Sequence, residues 1–130
     1  MNTTYYRVSL KALIRNSKNE ALLVKEHGDK WSLPGGGIEH GETVHQALAR
    51  ELYEECKITA PFTEKVIGIE TMPLVTHDVW LMWAVYEISI ADGFEFGVGE
   101  DATDIAFIDP EKLKDGKHRA GKLTYKYMTR

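Results

Sequence analysis

A run of three glycines, Gly35–Gly37, precedes a segment that carries Arg50, Glu51, Glu54 and Glu55. Carboxylates three or four residues apart are neighbours on a helix, where they repel each other. A divalent cation reverses this effect, because hard cations such as Mg²⁺ bind carboxylate oxygens together with substrate phosphates. Glycine has no Cβ atom, so its backbone can approach a ligand closely. The pattern therefore indicates a metal and phosphate site, in which a backbone carbonyl of the glycine run could also bind the metal.

The segment with the glutamates has the signals of an amphipathic helix. Thr43 can cap the first turn, and Gln46, three residues later, can complete a capping box. At about 100° per residue, Leu48, Leu52 and Cys56 fall along one stripe, and the glutamates share another face. We expect a helix that begins near residue 43. Without further information, its acidic face could equally be an ordinary solvated surface.

The spacing of the polar residues favours the metal site over the solvated surface. Gly36 is followed by five residues and Glu42, then by seven residues and Arg50, and residues 50–58 read RELYEECKI. This 23-residue segment resembles the signature of the Nudix hydrolases, the MutT-like pyrophosphohydrolases of nucleoside diphosphates linked to another group. Six positions agree in type and spacing: Gly36, Glu42, Arg50, Glu51, Glu54 and Glu55.

The resemblance implies a metal-binding role for four of these residues. Glu51, Glu54 and Glu55 would bind Mg²⁺ or Mn²⁺ through their carboxylates, and Gly36 would bind it through its carbonyl oxygen. Arg50 would orient the glutamates by charge-assisted hydrogen bonds and so take part in catalysis.

The resemblance also implies roles in catalysis and in loop structure. Glu42, Gly35 and Gly37 would shape the loop and the start of the helix. The general base would be Glu51 or an acidic residue before the last strand, and we rank Glu100 first there. The other acidic residues of that loop are Glu95, Asp101 and Asp104. The residues that bind the rest of the substrate are not identified by the sequence.

One residue departs from the family pattern, which normally has glycine where this chain has Lys57. A helix often ends in a left-handed residue, and that conformation costs a residue with a Cβ atom roughly 1 kcal/mol. Lys57 either accepts this strain or ends the helix differently. Since Lys57 is not among the expected metal ligands, the departure concerns local geometry and stability rather than the catalytic residues.

The remaining elements suggest a mixed β-sheet between helices. Extended segments are predicted at residues 5–14, 21–25, 65–71, 79–90 and 105–108, with a helix from about residue 111. The first two segments, joined by a turn at residues 16–19, look like a hairpin. The resemblance implies the same class of fold, a Nudix α/β/α sandwich with a loop-helix-loop motif.

Segment 79–90 is apolar on both faces, as expected for a central strand. We expect its Trp80, Trp83 and Tyr86 in the core rather than on a base-stacking platform. Residues 112–130 are rich in Lys and Arg, and we expect a solvated terminal segment there rather than a phosphate or RNA contact.

Composition places the chain among ordinary globular proteins. With 130 residues, 43% hydrophobic and 28% charged, we expect one soluble domain over residues 1–130. Cys56 is the only cysteine, which excludes an intrachain disulfide, and it falls on the apolar stripe of the helix. The net charge of −4 gives no general support for binding long nucleic acids. No signal peptide or membrane span is recognised, so a cytoplasmic location is the default, as monomer or homodimer.

The leading functional hypothesis is Mg²⁺-dependent hydrolysis of a diphosphate bond in a nucleoside diphosphate derivative. A nucleoside triphosphate or a related small nucleotide is preferred, because the chain is short. Alternatives within the reaction class are nucleotide sugars, ADP-ribose and the 5′ end of RNA. A non-catalytic nucleotide- or protein-binding domain is less favoured because no signature carboxylate is missing, and a diphosphate isomerase is the third class.

Overall fold

The computed structural model describes residues 5–74, 79–114 and 116–130. The strands in these residues are β1 (Tyr6–Leu13), β2 (Ala21–Lys25), β3 (Gly35–Gly37), β4 (Phe62–Leu74), β5 (Val79–Ile90) and β6 (Asp104–Ile108). The helices are α1 (Val44–Cys56) and α2 (Lys122–Met128), and a 3₁₀ turn spans Pro110–Leu113. Within the described ranges, no helix has both the length and the apolar composition to cross a membrane.

The strands form a four-stranded sheet in the order β3-β1-β5-β4 and a separate antiparallel pair, β2-β6. β1 and β5 run parallel, with Tyr6 opposite Trp80 and Leu13 opposite Glu87. The other pairings in the larger sheet are antiparallel, so the sheet is mixed. β5 lies between β1 and β4, which confirms its predicted central position.

The larger sheet is covered on both faces because successive residues of a strand point to opposite sides. Leu10 and Ala12 of β1 belong to an apolar cluster with Leu52 of α1. Leu13, on the other face of β1, belongs to a second cluster with Tyr127 of α2. Each fully buried leucine of these clusters contributes about 1.5–3 kcal/mol. The predicted α/β/α arrangement, a mixed sheet between helices, is therefore confirmed.

The start of α1 is fixed by the predicted capping box. The Thr43 hydroxyl accepts a hydrogen bond from the Gln46 N–H at 3.2 Å. The Gln46 side chain accepts one from the Thr43 N–H at 2.9 Å. Two N–H groups that the helix cannot satisfy internally are thus paired.

The end of α1 resolves the question raised by Lys57. Lys57 has φ 54° and ψ 28°, the left-handed conformation in which glycine is favoured. Its N–H donates to the Tyr53 carbonyl at 3.0 Å, and the Ile58 N–H donates to the Leu52 carbonyl at 3.2 Å. The bond from Lys57 to the Tyr53 carbonyl is the one that defines the αL motif, so the helix ends in a left-handed residue and Lys57 accepts the strain.

The predicted hairpin of residues 5–14 and 21–25 is wrong. Both edges of β1 are occupied, by β3 and by β5, so β2 pairs with β6 instead. Only the turn between β1 and β2 keeps a local connection, in which the Leu22 N–H donates to the Ile14 carbonyl at 2.9 Å.

The aromatic residues of β5 follow the prediction only in part. Trp83 and Tyr86 are partly buried and pack against the two apolar clusters. Trp80 is 49% exposed, so its expected place in the core is wrong. It lies near the start of β5, beside the exposed Tyr6 at 6.4 Å between ring centroids, where the sheet ends.

The C-terminal segment is not the solvated tail that its Lys and Arg content suggested. The helix expected from Glu111 is a single 3₁₀ turn, and α2 begins only at Lys122. Within α2, Thr124, Tyr127 and Met128 are buried. Their spacing of three and four residues gives α2 one apolar side, which covers the second face of the sheet.

Candidate active site

The glycine strand β3 packs closely against β1 on one side and against α1 on the other. Gly35 has φ +137°, and a Cβ atom there would lie 1.9 Å from the Leu10 carbonyl oxygen. A Cβ atom on Gly36 would lie 2.7 Å from Oε1 of Glu51. At Gly37 the nearest atom would be 3.9 Å away, so this position does not need glycine for space. Gly35 and Gly36 thus let the β3 backbone reach the acidic side of α1.

Arg50 connects the glycine strand, the following loop and the helix. Its Nε and Nη2 donate to the two oxygens of Glu42 at 2.8 and 2.9 Å. Nη2 also donates to the Gly37 carbonyl at 2.9 Å. Nη1 donates to Glu51 at 2.9 Å and to Glu54 at 3.4 Å. The bidentate pair with Glu42 anchors the guanidinium, so it can hold the other two carboxylates in fixed orientations.

This network sets the charges of its members. Hydrogen bonds from Arg50 hold the pKa of Glu42 at about 2. The hydrogen bonds with Glu42 and Glu51 raise the pKa of Arg50 above its usual value, so the guanidinium stays charged. Burial raises the pKa of Glu51, and the hydrogen bond from Arg50 opposes that rise. The site therefore combines a permanent cation with carboxylates in different environments.

Glu55 is more buried than the acidic face of a solvated helix would allow. It is 2% exposed, and it accepts a hydrogen bond from the Gly35 N–H at 2.6 Å. Burial, reinforced by the neighbouring carboxyl of Glu26, raises the pKa of Glu55 to about 9. Glu51 is also buried, at 9% exposure, so the solvated-face interpretation does not hold for these two residues.

A cavity of about 470 Å³ brings the predicted site residues together. Gly36, Glu51, Glu55 and Glu100 all line it, along with Glu26. The remaining lining residues are His27, Gly35, Asp101, Ala102 and Thr103. Four residues predicted from the sequence, on β3, on α1 and in the loop before β6, therefore share one space.

Glu54 lies in an adjacent cavity of about 330 Å³, which it shares with Lys57 and Glu100. Glu100 lines both cavities. Of the other loop residues considered for the base, Asp101 also lines both cavities. Glu95 and Asp104 line neither of them.

The loop that carries Glu100 is hydrogen-bonded to the C-terminal end of α1, a contact that the sequence did not predict. A Cβ atom on Gly99 would lie 2.1 Å from the Glu54 carbonyl oxygen, so only glycine fits there. Alternate N–H groups donate to the last carbonyls of the helix: Gly97 to Cys56 at 2.8 Å, Gly99 to Glu55 at 2.9 Å and Asp101 to Glu54 at 3.1 Å. The Gly-x-Gly spacing before Glu100 was the available signal.

Lys11 and Glu26 were also missed. Lys11 is 7% exposed, and its Nζ donates to the carbonyls of Leu33 and Gly35 at 3.4 and 3.2 Å. The same Nζ lies 4.0 Å from Oε1 of Glu26. A lysine inside the apolar run of β1 was the sequence signal, because buried lysines need polar partners.

The carboxylate and carbonyl oxygens of the cavity suit a hard divalent cation, which takes such oxygens as ligands. Oε1 of Glu26 is buried without a hydrogen-bond partner in the described part of the chain, and it lies among the other donors. Among the described residues, no group of three or more His, Cys, Asp and Glu side chains is arranged to hold a metal ion by itself. Arg50 donates to Oε1 of Glu51 and the Gly35 N–H donates to Oε1 of Glu55, so one oxygen of each carboxylate is already held in place.

Comparison with known proteins identifies the family. The NUDIX domain family matches residues 5–127. The chain belongs to the NUDIX family. Members of this family generally use divalent metal ions and act on small nucleotides. The resemblance inferred from Gly36, Glu42 and the Arg50–Ile58 segment is therefore confirmed.

Curated NUDIX relatives match over a short segment. An RNA pyrophosphohydrolase of Mannheimia succiniciproducens is 46% identical over 55 residues, which are 42% of this chain and 28% of that protein. An RNA pyrophosphohydrolase of Vibrio atlanticus is 42% identical over 55 residues, which are 42% of this chain and 32% of that protein. The matched segments thus span less than a third of these relatives.

Solved NUDIX structures match over the whole chain. The MutT protein of Methanosarcina mazei Go1 has a TM-score of 0.79 at 24% identity, with 100% of this chain and 95% of that chain covered. A bifunctional NMN adenylyltransferase/ADP ribose pyrophosphatase of Francisella tularensis, in complex with AMP and a Mn ion, has a TM-score of 0.71 at 26% identity. That match covers 99% of this chain and 42% of the bifunctional protein. These structures confirm the NUDIX fold.

Proposed function

We propose that this protein hydrolyses a diphosphate bond in a nucleoside diphosphate derivative, with Mg²⁺ or Mn²⁺ as cofactor. The observation that carries the proposal is the shared cavity of Gly36, Glu51, Glu55 and Glu100, with the Arg50 network at its side. The NUDIX match and the names of the relatives support a hydrolase that acts on diphosphate bonds.

In the proposed mechanism, the side chains of the protein position the metal ligands. A bound divalent cation supplies charge for the phosphate oxygens and lowers the pKa of water. Glu51, Glu54 and Glu55, with the Gly36 carbonyl, are the proposed ligands. Arg50 holds Glu51 and Glu54 through Nη1, and Glu42 holds Arg50 through two hydrogen bonds. This arrangement fixes the ligands before substrate arrives, so little reorganisation is needed during the reaction.

We propose Glu100 as the general base and keep Glu51 as the second candidate. Glu100 is exposed at the border of both cavities, where a water that attacks phosphorus can reach its carboxylate. Oε1 of Glu51 already accepts a hydrogen bond from Arg50, which makes that oxygen less available for a proton. Glu100→Gln is expected to lower kcat roughly 100-fold. A parent-like kcat in this variant would return the role to Glu51.

A further cavity, which is mostly apolar, supports the proposal of a nucleotide substrate. This cavity of about 310 Å³ is lined by Trp31 and Trp83 and by the lysines Lys30 and Lys122, together with Ser32, Gly121, Leu123 and Thr124. Nζ of Lys11 lies 5.4 Å from the centre of the Trp83 ring, which lines this cavity, and 4.0 Å from Oε1 of Glu26, which lines the carboxylate cavity. Aromatic rings beside cations suit a base and its phosphates.

Within this class, a nucleoside triphosphate or a related small nucleotide stays our first substrate proposal. The 5′ end of RNA is the second, because the segment that is 46% identical belongs to an RNA pyrophosphohydrolase. ADP-ribose is the third, from the pyrophosphatase of Francisella tularensis. The single domain over residues 1–130 and the cytoplasmic location also stay predictions.

A panel of these three substrates tests the proposal. Purified protein is incubated with Mg²⁺, with Mn²⁺ or with EDTA, and phosphate, pyrophosphate and nucleoside monophosphate are measured. We expect turnover of at least one substrate that EDTA abolishes. A thermal shift with nucleotides but no turnover of any substrate would instead indicate a binding domain.

A further inference from the structure

Glu26 lies directly after β2 and faces the acidic side of α1. It lines the same cavity as Gly36, Glu51 and Glu55. Its carboxyl group is within hydrogen-bonding reach of the Glu55 carboxyl group. Glu26 lies ten residues before Gly36, outside the family signature, and no role follows for it from that signature.

One oxygen of Glu26 lacks the hydrogen-bond donor that a buried oxygen normally has. Oε1 is buried, and none of the described residues donates a hydrogen bond to it. The nearest cation, Nζ of Lys11, lies 4.0 Å away and already donates to the carbonyls of Leu33 and Gly35. A buried oxygen without a donor is unfavourable, and each such oxygen in a native protein needs an explanation.

The neighbouring carboxylates make the position more unusual. Glu55 is 2% exposed, and its Oε1 accepts a hydrogen bond from the Gly35 N–H. Two ionised carboxylates in contact repel each other unless a cation lies between them. Lys11 supplies one positive charge near three carboxylates, those of Glu26, Glu51 and Glu55.

We propose that Glu26 is a further carboxylate ligand of the divalent cation in the candidate active site, beside Glu55. The oxygen without a hydrogen-bond partner is the one that would face the cation. The inference rests on the metal-dependent function proposed above, and it adds a ligand from the residue directly after β2 to those from β3 and α1.

The test measures metal binding rather than activity. Mn²⁺ is titrated into the intact protein without nucleotide, and free Mn²⁺ is followed by electron paramagnetic resonance. The variants are Glu26→Gln, Glu26→Asp and Glu55→Gln. The matched control is Glu111→Gln, because Glu111 is an exposed glutamate in the 3₁₀ turn, where it pairs with Lys114. Thermal unfolding in EDTA checks that each variant is folded.

We expect Glu26→Gln to weaken Mn²⁺ binding at least tenfold and Glu111→Gln to bind like the parent. Glu26→Asp keeps the charge but withdraws the oxygens by one methylene, so a ligand role predicts weaker binding for this variant too. Parent-like binding by Glu26→Asp would overturn the proposal, because a general electrostatic effect does not depend on where the oxygens lie.

Two further outcomes separate this inference from the proposed function. Parent-like Mn²⁺ affinity in Glu26→Gln, with weakened affinity in Glu55→Gln, would refute the role of Glu26 and leave the proposed metal site intact. Parent-like affinity in both variants would refute the metal site itself, and the inference would fall with it.

Discussion

Replacement of Lys57 by glycine is expected to stabilise the protein, although it removes a side chain. Lys57 has φ 54° and ψ 28° at the end of α1, and its N–H belongs to the bonds that close the helix. Glycine keeps both bonds and adopts this conformation without the contact between Cβ and the backbone. The matched variant is Lys57→Ala, which removes the lysine side chain but keeps the Cβ atom.

The magnitude follows from opposing contributions. The left-handed conformation costs a residue with a Cβ atom about 1–2 kcal/mol. Glycine loses about 0.4–1 kcal/mol relative to alanine because its unfolded chain is more flexible. The lysine charge near the helix C-terminus contributes about 0.3–1 kcal/mol at low salt. We expect the free energy of unfolding of the glycine variant to exceed that of the alanine variant by about 1 kcal/mol and that of the parent by about 0.5 kcal/mol.

Thermal unfolding measures this order directly. For a chain of 130 residues, 1 kcal/mol corresponds to about 4 °C in Tm. The expected order of Tm is Gly, then Lys, then Ala at position 57, and the gap between Lys and Ala narrows in high salt. An alanine variant as stable as the glycine variant would refute the reasoning, because the backbone strain at position 57 would then be no larger than the entropic loss of glycine.

Three other predictions concern the active site. Gly36→Ala places a Cβ atom 2.7 Å from a carboxylate oxygen of α1 and is expected to lower kcat roughly 100-fold, whereas Gly37→Ala, with 3.9 Å of space, stays near the parent in a steady-state assay. Arg50→Lys cannot keep the bidentate pair with Glu42 and is expected to lower kcat at least tenfold without unfolding; unchanged kcat would count against the orienting role. Burial raises the pKa of Glu55 from 4.5 to about 9, so in EDTA the parent holds a proton that its unfolded chain releases, and it loses stability as pH rises across that window. Glu55→Gln lacks this loss, and its Tm should rise relative to the parent between pH 5 and 9; a constant difference would be contrary to the stated pKa.

The features that sequence predicted are those with local signals. The capping box of Thr43 and Gln46 involves residues three apart, and it is present as expected. The spacing of Glu51, Glu54 and Glu55 on one helix, counted from Gly36, carries the resemblance that the family match confirms. The 12-residue apolar strand β5 was also placed correctly, because a strand covered on both faces has a long apolar run.

The features that sequence missed depend on contacts between distant segments. The pairing of β2 with β6 joins Ala21 to Ile108, and no local pattern distinguishes it from a hairpin with β1. The burial of Glu55 depends on the approach of Glu26 and the Gly35 N–H. Helix periodicity alone therefore predicts that the Glu55 carboxylate is exposed to solvent. The exposure of Trp80 likewise depends on where the sheet ends.

The central claim is that the carboxylates of α1 hold a cation for hydrolysis of a diphosphate bond. Its most direct test compares hydrolysis of the best panel substrate by the parent, Glu54→Gln and Glu55→Gln, each shown to be folded by circular dichroism. The account predicts Mg²⁺-dependent turnover by the parent and turnover at least about 100-fold slower in both variants. Hydrolysis at the parent rate by both folded variants, with Mg²⁺ present, would contradict it.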